Sequence, residues 1–307
     1  LVEHFGWRSI FFFVVPFALW ALWLARRYLP ASAPGGGAPG ERGEALDWPG
    51  LALASVCVVG LLNGLVHLHD DSPLTAALLL TVGVAALLLF VWHVSRATAP
   101  LIDLRLFRSR SFAMGGVVAF IYGMGLFGST YLVPVFMQSA LHFPPSHAGA
   151  ALMPAGLILA LIIPLGGQLS DRIAPFALVA GGLALLALSF ALMATVGAGT
   201  ALWLLMLWAV VGRIGLGFVL PSLTLGAMPG LGTELVPQAA SLISFLRQLG
   251  CAIGVGLVGI FLEWRLRVRG SGSVAAFADT FWLVAALSLV AMLAALRMRP
   301  PRPAPGG

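Results

Sequence analysis

The sequence predicts an all-α protein, a polytopic bundle of transmembrane helices, and two observations carry that prediction. Of its 307 residues, 60% are hydrophobic and only 9% are charged, whereas soluble globular domains carry about 25% charged residues. The mean hydropathy is +1.01. So few charges cannot cover a water-facing surface, which excludes an ordinary soluble enzyme and makes lipid the solvent for most of the chain.

The individual elements follow from the lengths of the apolar stretches. A helix needs roughly 20 apolar residues to cross about 30 Å of hydrocarbon. Nine stretches meet that length, and we place them at residues 8–25, 49–69, 74–92, 112–139, 146–169, 175–195, 200–222, 237–262 and 280–296. None is a cleavable signal peptide, because Arg26 and Arg27 follow the first stretch without a small-residue cleavage site.

Arginine placement predicts the orientation of these segments. All 17 basic residues are Arg, and they cluster between the apolar stretches. With the N-terminus outside and the C-terminus cytoplasmic, eleven arginines fall on inside connections and four on outside ones, as the positive-inside rule requires. The cluster of Arg265, Arg267 and Arg269 is an exception on the outside. The net charge of +6 is therefore an orientation signal, and we expect no nucleic acid partner.

The connections divide the chain further. Residues 31–48 begin with the Pro/Gly-rich run ASAPGGGAPGERGE, which predicts a flexible cytoplasmic linker. Residues 93–111 place four arginines among apolar side chains, the pattern of a segment at the cytoplasmic interface. Residues 300–307 predict a disordered tail. The chain begins with Leu and an odd number of spans puts its ends on opposite faces, so we expect it to be cut from a longer chain.

Most of the recognisable motif residues lie in the fourth and fifth segments. Pro134 and Pro154 remove backbone donors inside spans and predict kinks. The run Gly167-Gln168-Leu169-Ser170-Asp171-Arg172 then ends the fifth segment. A charged pair at a helix end can bind the next helix end and release it when the bundle rocks, so we assign Gly167, Asp171 and Arg172 to a gating loop.

This run resembles the loop signature of the major facilitator superfamily. Three further stretches narrow the resemblance to the fourteen-helix drug–proton antiporters of that superfamily, and together they cover about residues 5–298: Gly6-Trp7-Arg8 through Pro30, Pro100 through Arg108, and Phe245-Leu246-Arg247-Gln248-Leu249-Gly250 with Gly254. The resemblance departs at Ile173-Ala174-Pro175-Phe176, where the family has Ile-Gly and a basic residue. This departure weakens the hypothesis that the loop works as a complete charge-relay gate.

The resemblance implies a domain order. Residues 1–30 would hold the last helix of an N-terminal bundle, 49–92 two extra central helices, and 112–299 a C-terminal six-helix bundle. In the family, the acidic residue that couples protons lies in the first helix, which this chain would lack. We therefore expect a truncated bundle of major facilitator type, in the bacterial inner membrane.

Two arginines fall within spans and are the sharpest candidate site residues. Arg213 and Arg247 lie in the seventh and eighth segments, both in the inner half of the membrane. An ionisable group there costs at least about 2.5–3.5 kcal/mol, so it usually faces a cavity or a partner. One interpretation is gating or attraction of an anionic group. The other is structural, with each guanidinium bonded to helix-end carbonyls.

A substrate cavity is predicted around segment four. Tyr122, Phe127, Tyr131 and Gln138, with Gln248 of segment eight, supply the aromatic and polar groups that line cavities for lipophilic drugs, although aromatic residues in a span more often serve packing or an interfacial belt. The run His67-Leu68-His69-Asp70-Asp71 superficially suggests a metal site but falls in a short outer turn. We expect no metal and no cofactor.

These features predict a transporter rather than an enzyme. A polytopic enzyme needs a converging acid/base or nucleophile set, and none converges in the sequence. The resemblance implies export of lipophilic or cationic drugs by alternating access, with a small-molecule substrate, the lipid bilayer and protons as partners. The alternative is a facilitator-type transporter of another small solute, a sugar or a metabolite, because one fold carries many substrates.

Overall fold

The computed structural model describes residues 8–28, 47–67, 73–96, 104–197, 199–270 and 272–299, without the side chains of residues 9–11, 104, 127 and 129. The predicted linker, apart from residues 47 and 48, and the predicted tail lie outside these ranges. Two compact units divide the chain, residues 1–46 and residues 47–307. Within the described ranges the regular structure is helical and no strand occurs, which confirms the all-α prediction.

Each predicted span corresponds to a helix. The helices are α1 Ser9–Tyr28, α2 Trp48–Val66, α3 Pro73–Val94, α4 Arg110–Ser139, α5 Pro145–Ser170, α6 Pro175–Met193, α7 Leu202–Ala227, α8 Val236–Arg269 and α9 Val274–Leu296. Among the described residues, eight of them, α2 to α9, are long and apolar enough to cross a membrane. The helix α1 forms by itself in the first unit, contains Pro16 and carries Arg26 and Arg27 in its last turn.

Local chemistry sets where several helices begin. Proline occupies the first or second position of α2, α5, α6 and α8, where its missing N–H costs no helical hydrogen bond. The Asp47 carboxylate caps α2 by accepting the Gly50 N–H at 2.9 Å. The same carboxylate lies 2.8 Å from Nε2 of His93, near the end of α3. One acidic side chain thus joins the two ends of the α2–α3 hairpin.

The junction of α8 and α9 differs from the prediction. The helix α8 continues to Arg269 instead of ending at 262, and α9 starts at Val274 instead of 280. Asp279 of α9 contacts Arg265 through two N–H donors and lies 2.8 Å from Nε of Arg269. Shared carboxylate contacts stabilise the extra helical turns, and Gly270 ends α8 at a φ of 98°. The arginine cluster on the predicted outside is therefore partly neutralised.

The second unit forms a bundle around α4 and α7. These two helices pack on each other; α7 also packs on α5 and α6, and α4 on α8 and α9, while α6 and α9 pair. An aromatic cluster fills the centre, with the Phe136 ring 5.2 Å from Phe277 and 5.4 Å from Phe281. All three side chains are almost completely buried. Burial of this apolar surface holds helices that are distant in sequence together.

Glycines allow a close helix approach between α4 and α8. A methyl group at Gly123 would overlap the carbonyl oxygen of Arg247, and one at Gly250 would overlap the carbonyl oxygen of Phe120. A methyl at Gly254 would lie 2.6 Å from Cα of Met124. The backbones can meet only because these positions lack a side chain. Two glycines of the motif Phe245 to Gly254 therefore form the surface by which α8 binds α4.

One end of the bundle gathers several helix termini. Ser111 at the start of α4 donates to the carbonyl oxygen of Met298, just after α9, at 3.1 Å. Ser109 donates to the carbonyl oxygen of Pro229, after α7, at 3.4 Å. The preceding 3₁₀ turn, Leu104–Arg108, buries Leu106 completely and exposes Arg105 and Arg108. This described part of the predicted interfacial segment thus anchors one apolar residue and exposes its arginines.

Candidate functional site

Tyr122 lies at the centre of the candidate site, where α4 meets α7. Its side chain is only 2% exposed. The phenolic hydroxyl donates to the carbonyl oxygen of Leu216 on α7 at 3.2 Å. Both Arg213 and Arg247 lie within electrostatic range of this hydroxyl. The structure therefore brings the two predicted intramembrane charges, from α7 and α8, around one buried tyrosine of α4.

Arg213 is half-buried and reaches α4. Its Nη2 donates to Oγ1 of Thr130 at 3.3 Å, a long and hence weak hydrogen bond. The guanidinium lines a cavity of about 10 Å³ between α4, α5, α6 and α7, with Ser189 and Gly212. That volume holds about one water molecule. It is far too small for a drug-sized ligand.

The position of Arg213 within its helix differs from the sequence-based placement. Because α7 runs to Ala227 rather than 222, Arg213 lies eleven residues after its first residue and fourteen before its last. At 1.5 Å per residue it is roughly 16 Å from one end and 21 Å from the other. Arg213 thus lies near the middle of its helix, and its placement in the inner half of the membrane stays a prediction.

Arg247 lies eleven residues into α8, in the first third of that helix. Its backbone carbonyl contacts Gly123 of α4. Its side chain is half-buried, and its guanidinium has no hydrogen-bond or ion-pair partner within the described ranges. The backbone of Arg247 thus lies at a close crossing of α4 and α8, and its half-buried side chain can pair with a ligand or a second side chain.

The other predicted cavity residues whose side chains are described lie at the surface. Tyr131 is 42% exposed, and Gln138 and Gln248 are exposed. None of these three lines the small cavity at Arg213 or the cleft at the end of α5. The side chain of Phe127 is not among those that the structure describes. Their role in substrate binding stays a prediction.

The loop signature forms an open cleft at the end of α5. Asp171 and Arg172 are exposed and line it together with Gln168 and with Phe218 of α7, around a volume of about 540 Å³. A methyl group added at Gly167 would contact nothing within 4 Å. In the part of the chain that the structure describes, neither charged side chain of this pair forms a salt bridge. Both charges are therefore accessible to a partner helix end.

Sequence reasoning missed the contact that holds this loop in place. Oγ of the buried Ser170 donates to the carbonyl oxygen of Gly166 at 2.8 Å and lies 2.8 Å from Oγ of the buried Ser222 on α7. A methyl group at Gly166 would lie 3.0 Å from the carbonyl oxygen of Gly217. The signature serine thus anchors α5 to α7. The signal in the sequence is Ser222, a polar residue deep in an apolar stretch.

No metal site is present among the described residues, since no group of three His, Cys, Asp or Glu side chains converges there. Of the run from His67 to Asp71, the structure describes only His67. Cys57 and Cys251 are both buried free thiols. Buried free cysteines of this kind pack as small apolar side chains.

Relatives of this chain carry drug-resistance and transporter names. It is 30% identical over 273 residues to the "Multidrug resistance protein B homolog" of Mycobacterium tuberculosis (strain CDC 1551 / Oshkosh), covering 86% of this chain and 49% of that protein. It is 28% identical to the "Methylenomycin A resistance protein" of Streptomyces coelicolor, covering 86% and 54%. It is 24% identical to the "Riboflavin transporter RibZ" of Clostridioides difficile, covering 95% and 64%. The chain thus spans about half to two-thirds of these relatives.

The fold has a solved counterpart. The crystal structure of an auto-inhibited POT family peptide transporter matches 98% of this chain and 66% of its own, with a TM-score of 0.54 and 19% identity. That likeness concerns the fold alone. A family model described as Major Facilitator Superfamily matches residues 1–255, which include α1 to α7 and most of α8. The helical bundle, the loop signature and this match agree, and the chain belongs to the Major Facilitator Superfamily.

Proposed function

We propose that this chain forms the C-terminal transport bundle of a proton-driven exporter of lipophilic or cationic compounds that works by alternating access. The observation that carries the proposal is the match at 30% identity over most of the chain to a protein named for multidrug resistance. The bundle described above, with two charged groups at a buried tyrosine, supplies the half of such a transporter that moves against a second bundle.

The geometry supports different roles for the two pairs of charged residues. Asp171 and Arg172 are exposed at a cleft, so they act as a latch that binds a helix end of the second bundle in one state and releases it in the other. Arg213 and Arg247 act deeper, near Tyr122, where they position anionic groups of the second bundle and set which bundle arrangement is stable. Since no acidic residue lies deep in a described span, the proton-coupling group belongs to the second bundle.

Dye efflux tests the proposal. The gene for the whole transporter and a gene for residues 1–307 are expressed separately in a host that lacks its own drug pumps, and loss of preloaded ethidium is followed with and without a protonophore. We expect protonophore-sensitive efflux from the whole transporter and none from residues 1–307, because alternating access needs two bundles. Proton-dependent efflux by residues 1–307 alone would contradict the two-bundle assignment.

The runner-up function is transport of another small solute, and the relative named as a riboflavin transporter supplies its specific support. The same cells are assayed for uptake of radiolabelled riboflavin and of a sugar mixture. Uptake of one of these solutes, together with no efflux of ethidium, would overturn drug export in favour of this alternative. Efflux of ethidium without such uptake supports drug export.

A further inference from the structure

The surface between α8 and α9 carries a groove that the transport proposal does not use. Eight residues of α4, α8 and α9 line it around a volume of about 420 Å³, and every one of them is apolar. They include Met124 at the floor, Leu257, Phe261 and Trp264 on one wall, and Leu283 and Leu287 on the other. The volume lies in the range of small-molecule sites, ~300–1,000 Å³.

The residue types that line the groove indicate which class of ligand it can bind. Sites for drugs and metabolites place a few polar groups among apolar ones to fix the ligand's orientation, and this lining has the indole N–H of Trp264 as its one side-chain hydrogen-bond donor. A flexible hydrocarbon chain needs no such group. An acyl chain is therefore the ligand that this lining fits, and a polar solute is not.

The depth of the groove matches one leaflet of a bilayer. Trp264 lies five residues before the end of α8 and Leu257 twelve before it, roughly 8 Å and 18 Å along the axis. Half of the hydrocarbon core is about 15 Å thick. Trp264 is half-exposed, as expected of a tryptophan at headgroup level. The groove thus runs from the interface into the acyl region of a single leaflet.

Basic side chains lie above the headgroup end. Arg267 is one helical turn beyond Trp264 on the same face of α8, and its side chain is 65% exposed. Its partner Glu263 is also exposed, so this i,i+4 pair is weak. Arg265 and Arg269 share the single carboxylate of Asp279. Among the described residues near the mouth of the groove, three guanidinium groups stand against two carboxylates, an excess of one positive charge.

We propose that this groove is a phospholipid site, in which one acyl chain packs between α8 and α9 and the phosphate of an anionic headgroup binds Arg267. Arg267 exchanges its exposed contact with Glu263 for a charge-assisted bond to phosphate, and surface attraction between basic residues and anionic lipid adds to it. The bound lipid belongs to the leaflet that faces the α8–α9 connection and closes the side of the bundle.

Lipid retention measured by native mass spectrometry tests this site. The purified protein in mild detergent is titrated with dioleoyl phosphatidylglycerol, which is anionic, or dioleoyl phosphatidylcholine, which is zwitterionic. We expect at least threefold higher retention of phosphatidylglycerol. Leu283→Trp fills the groove and is expected to lower that retention at least fivefold, whereas Leu289→Trp, at a half-exposed position of α9 outside the groove, leaves it unchanged. Leu257→Trp repeats the block from the α8 wall.

The headgroup contact is tested separately. Arg267→Gln is expected to abolish the preference for phosphatidylglycerol and to leave phosphatidylcholine retention unchanged, and Arg267→Lys to keep the preference. Arg110→Gln, an exposed arginine at the start of α4, serves as the matched control. Equal loss with Leu283→Trp and Leu289→Trp, an Arg267→Gln protein that still prefers phosphatidylglycerol, or no retained lipid at all would each overturn the proposal.

Discussion

At the scale of single residues, Arg213 combines a charge near mid-helix with, among the described residues, one long hydrogen bond, to Thr130. A permanently charged guanidinium at this depth is costly unless it contributes to function. We therefore expect Arg213→Gln to lower the initial rate of ethidium efflux at least tenfold in the whole transporter, with the yield of folded protein within twofold. Thr130→Val removes this weak bond and the bond of the same hydroxyl to the carbonyl oxygen of Leu126 within α4, and should lower the rate less than threefold.

A structural role for Arg213 would give a different result. If the arginine only held α4 and α7 together, Arg213→Gln and Thr130→Val would lower the thermal midpoint of the purified protein by similar amounts and affect transport in parallel. Comparing the efflux rate with the thermal midpoint for both variants separates the two roles. A stable Arg213→Gln protein with normal efflux would contradict the functional assignment.

The paired serines at the loop signature give an asymmetric prediction. Ser170 bonds both Gly166 and Ser222, so Ser170→Ala removes two contacts and leaves the buried Ser222 hydroxyl without its partner. Ser222→Ala leaves Ser170 bonded to Gly166. A buried hydrogen bond contributes about 0.5–1.5 kcal/mol, and an orphaned group costs more. We expect Ser170→Ala to lower the thermal midpoint more than Ser222→Ala does; the reverse order would show that the bond network is assigned wrongly.

At the scale of helices, the α4–α8 crossing depends on glycine. Gly250→Ala forces a methyl group onto the backbone carbonyl of Phe120, and overpacking of this kind costs about 1–3 kcal/mol or more. Gly256 lies on the same helix with nothing within 4 Å of an added methyl group. Gly256→Ala should therefore be neutral or slightly stabilising, because alanine favours helix more than glycine does. Thermal unfolding in detergent distinguishes the two variants.

The α8–α9 junction depends on one carboxylate. Asp279→Asn leaves Arg265 and Arg269 close together without the negative charge that they share, and hydrogen bonds to charged groups contribute about 1.5–3 kcal/mol. Arg267→Gln breaks only an exposed i,i+4 pair, which contributes about 0.3–0.5 kcal/mol. We expect a clear loss of stability for Asp279→Asn and almost none for Arg267→Gln. Equal melting temperatures for the two variants would show that the junction is held by apolar packing instead.

At the scale of the whole molecule, apolar length and arginine position were enough to place the helices of the described residues. Spans longer than predicted occur where polar contacts extend a helix, as at Arg265 and Asp279, because a hydropathy window ends at the first charged cluster. Which helices meet could not be predicted, since α5 and α6 are consecutive yet each packs chiefly on α7. The two arginines were predicted as site residues because charge is rare in a span. The Ser170–Ser222 bond was not predicted, because it joins positions 52 residues apart in the sequence.

The orientation of the bundle is the last property that the arginines predict. The starts of α4 and α6 and the ends of α7 and α9 gather at one end, where Gly226 lies close to both Pro175 and Met298. Of the described arginines of the second unit, that end carries Arg105, Arg108, Arg110, Arg172, Arg297 and Arg299. The opposite end carries three arginines beside two carboxylates. The positive-inside rule therefore predicts that the six-arginine end faces the cytoplasm.

Cysteine labelling in intact cells tests this orientation. Ser273 and Arg299 flank the 23 residues of α9, which extend about 35 Å and exceed the hydrocarbon thickness, so the two positions face opposite sides of the membrane. We expect a membrane-impermeant maleimide to label Ser273→Cys and to leave Arg299→Cys unlabelled until the cells are opened. Cys57 and Cys251 are buried and give little background. Labelling of Arg299→Cys alone in intact cells would mean that the bundle is inverted and that the exposed charges of Asp171 and Arg172 face outside, where a cytoplasmic latch cannot operate.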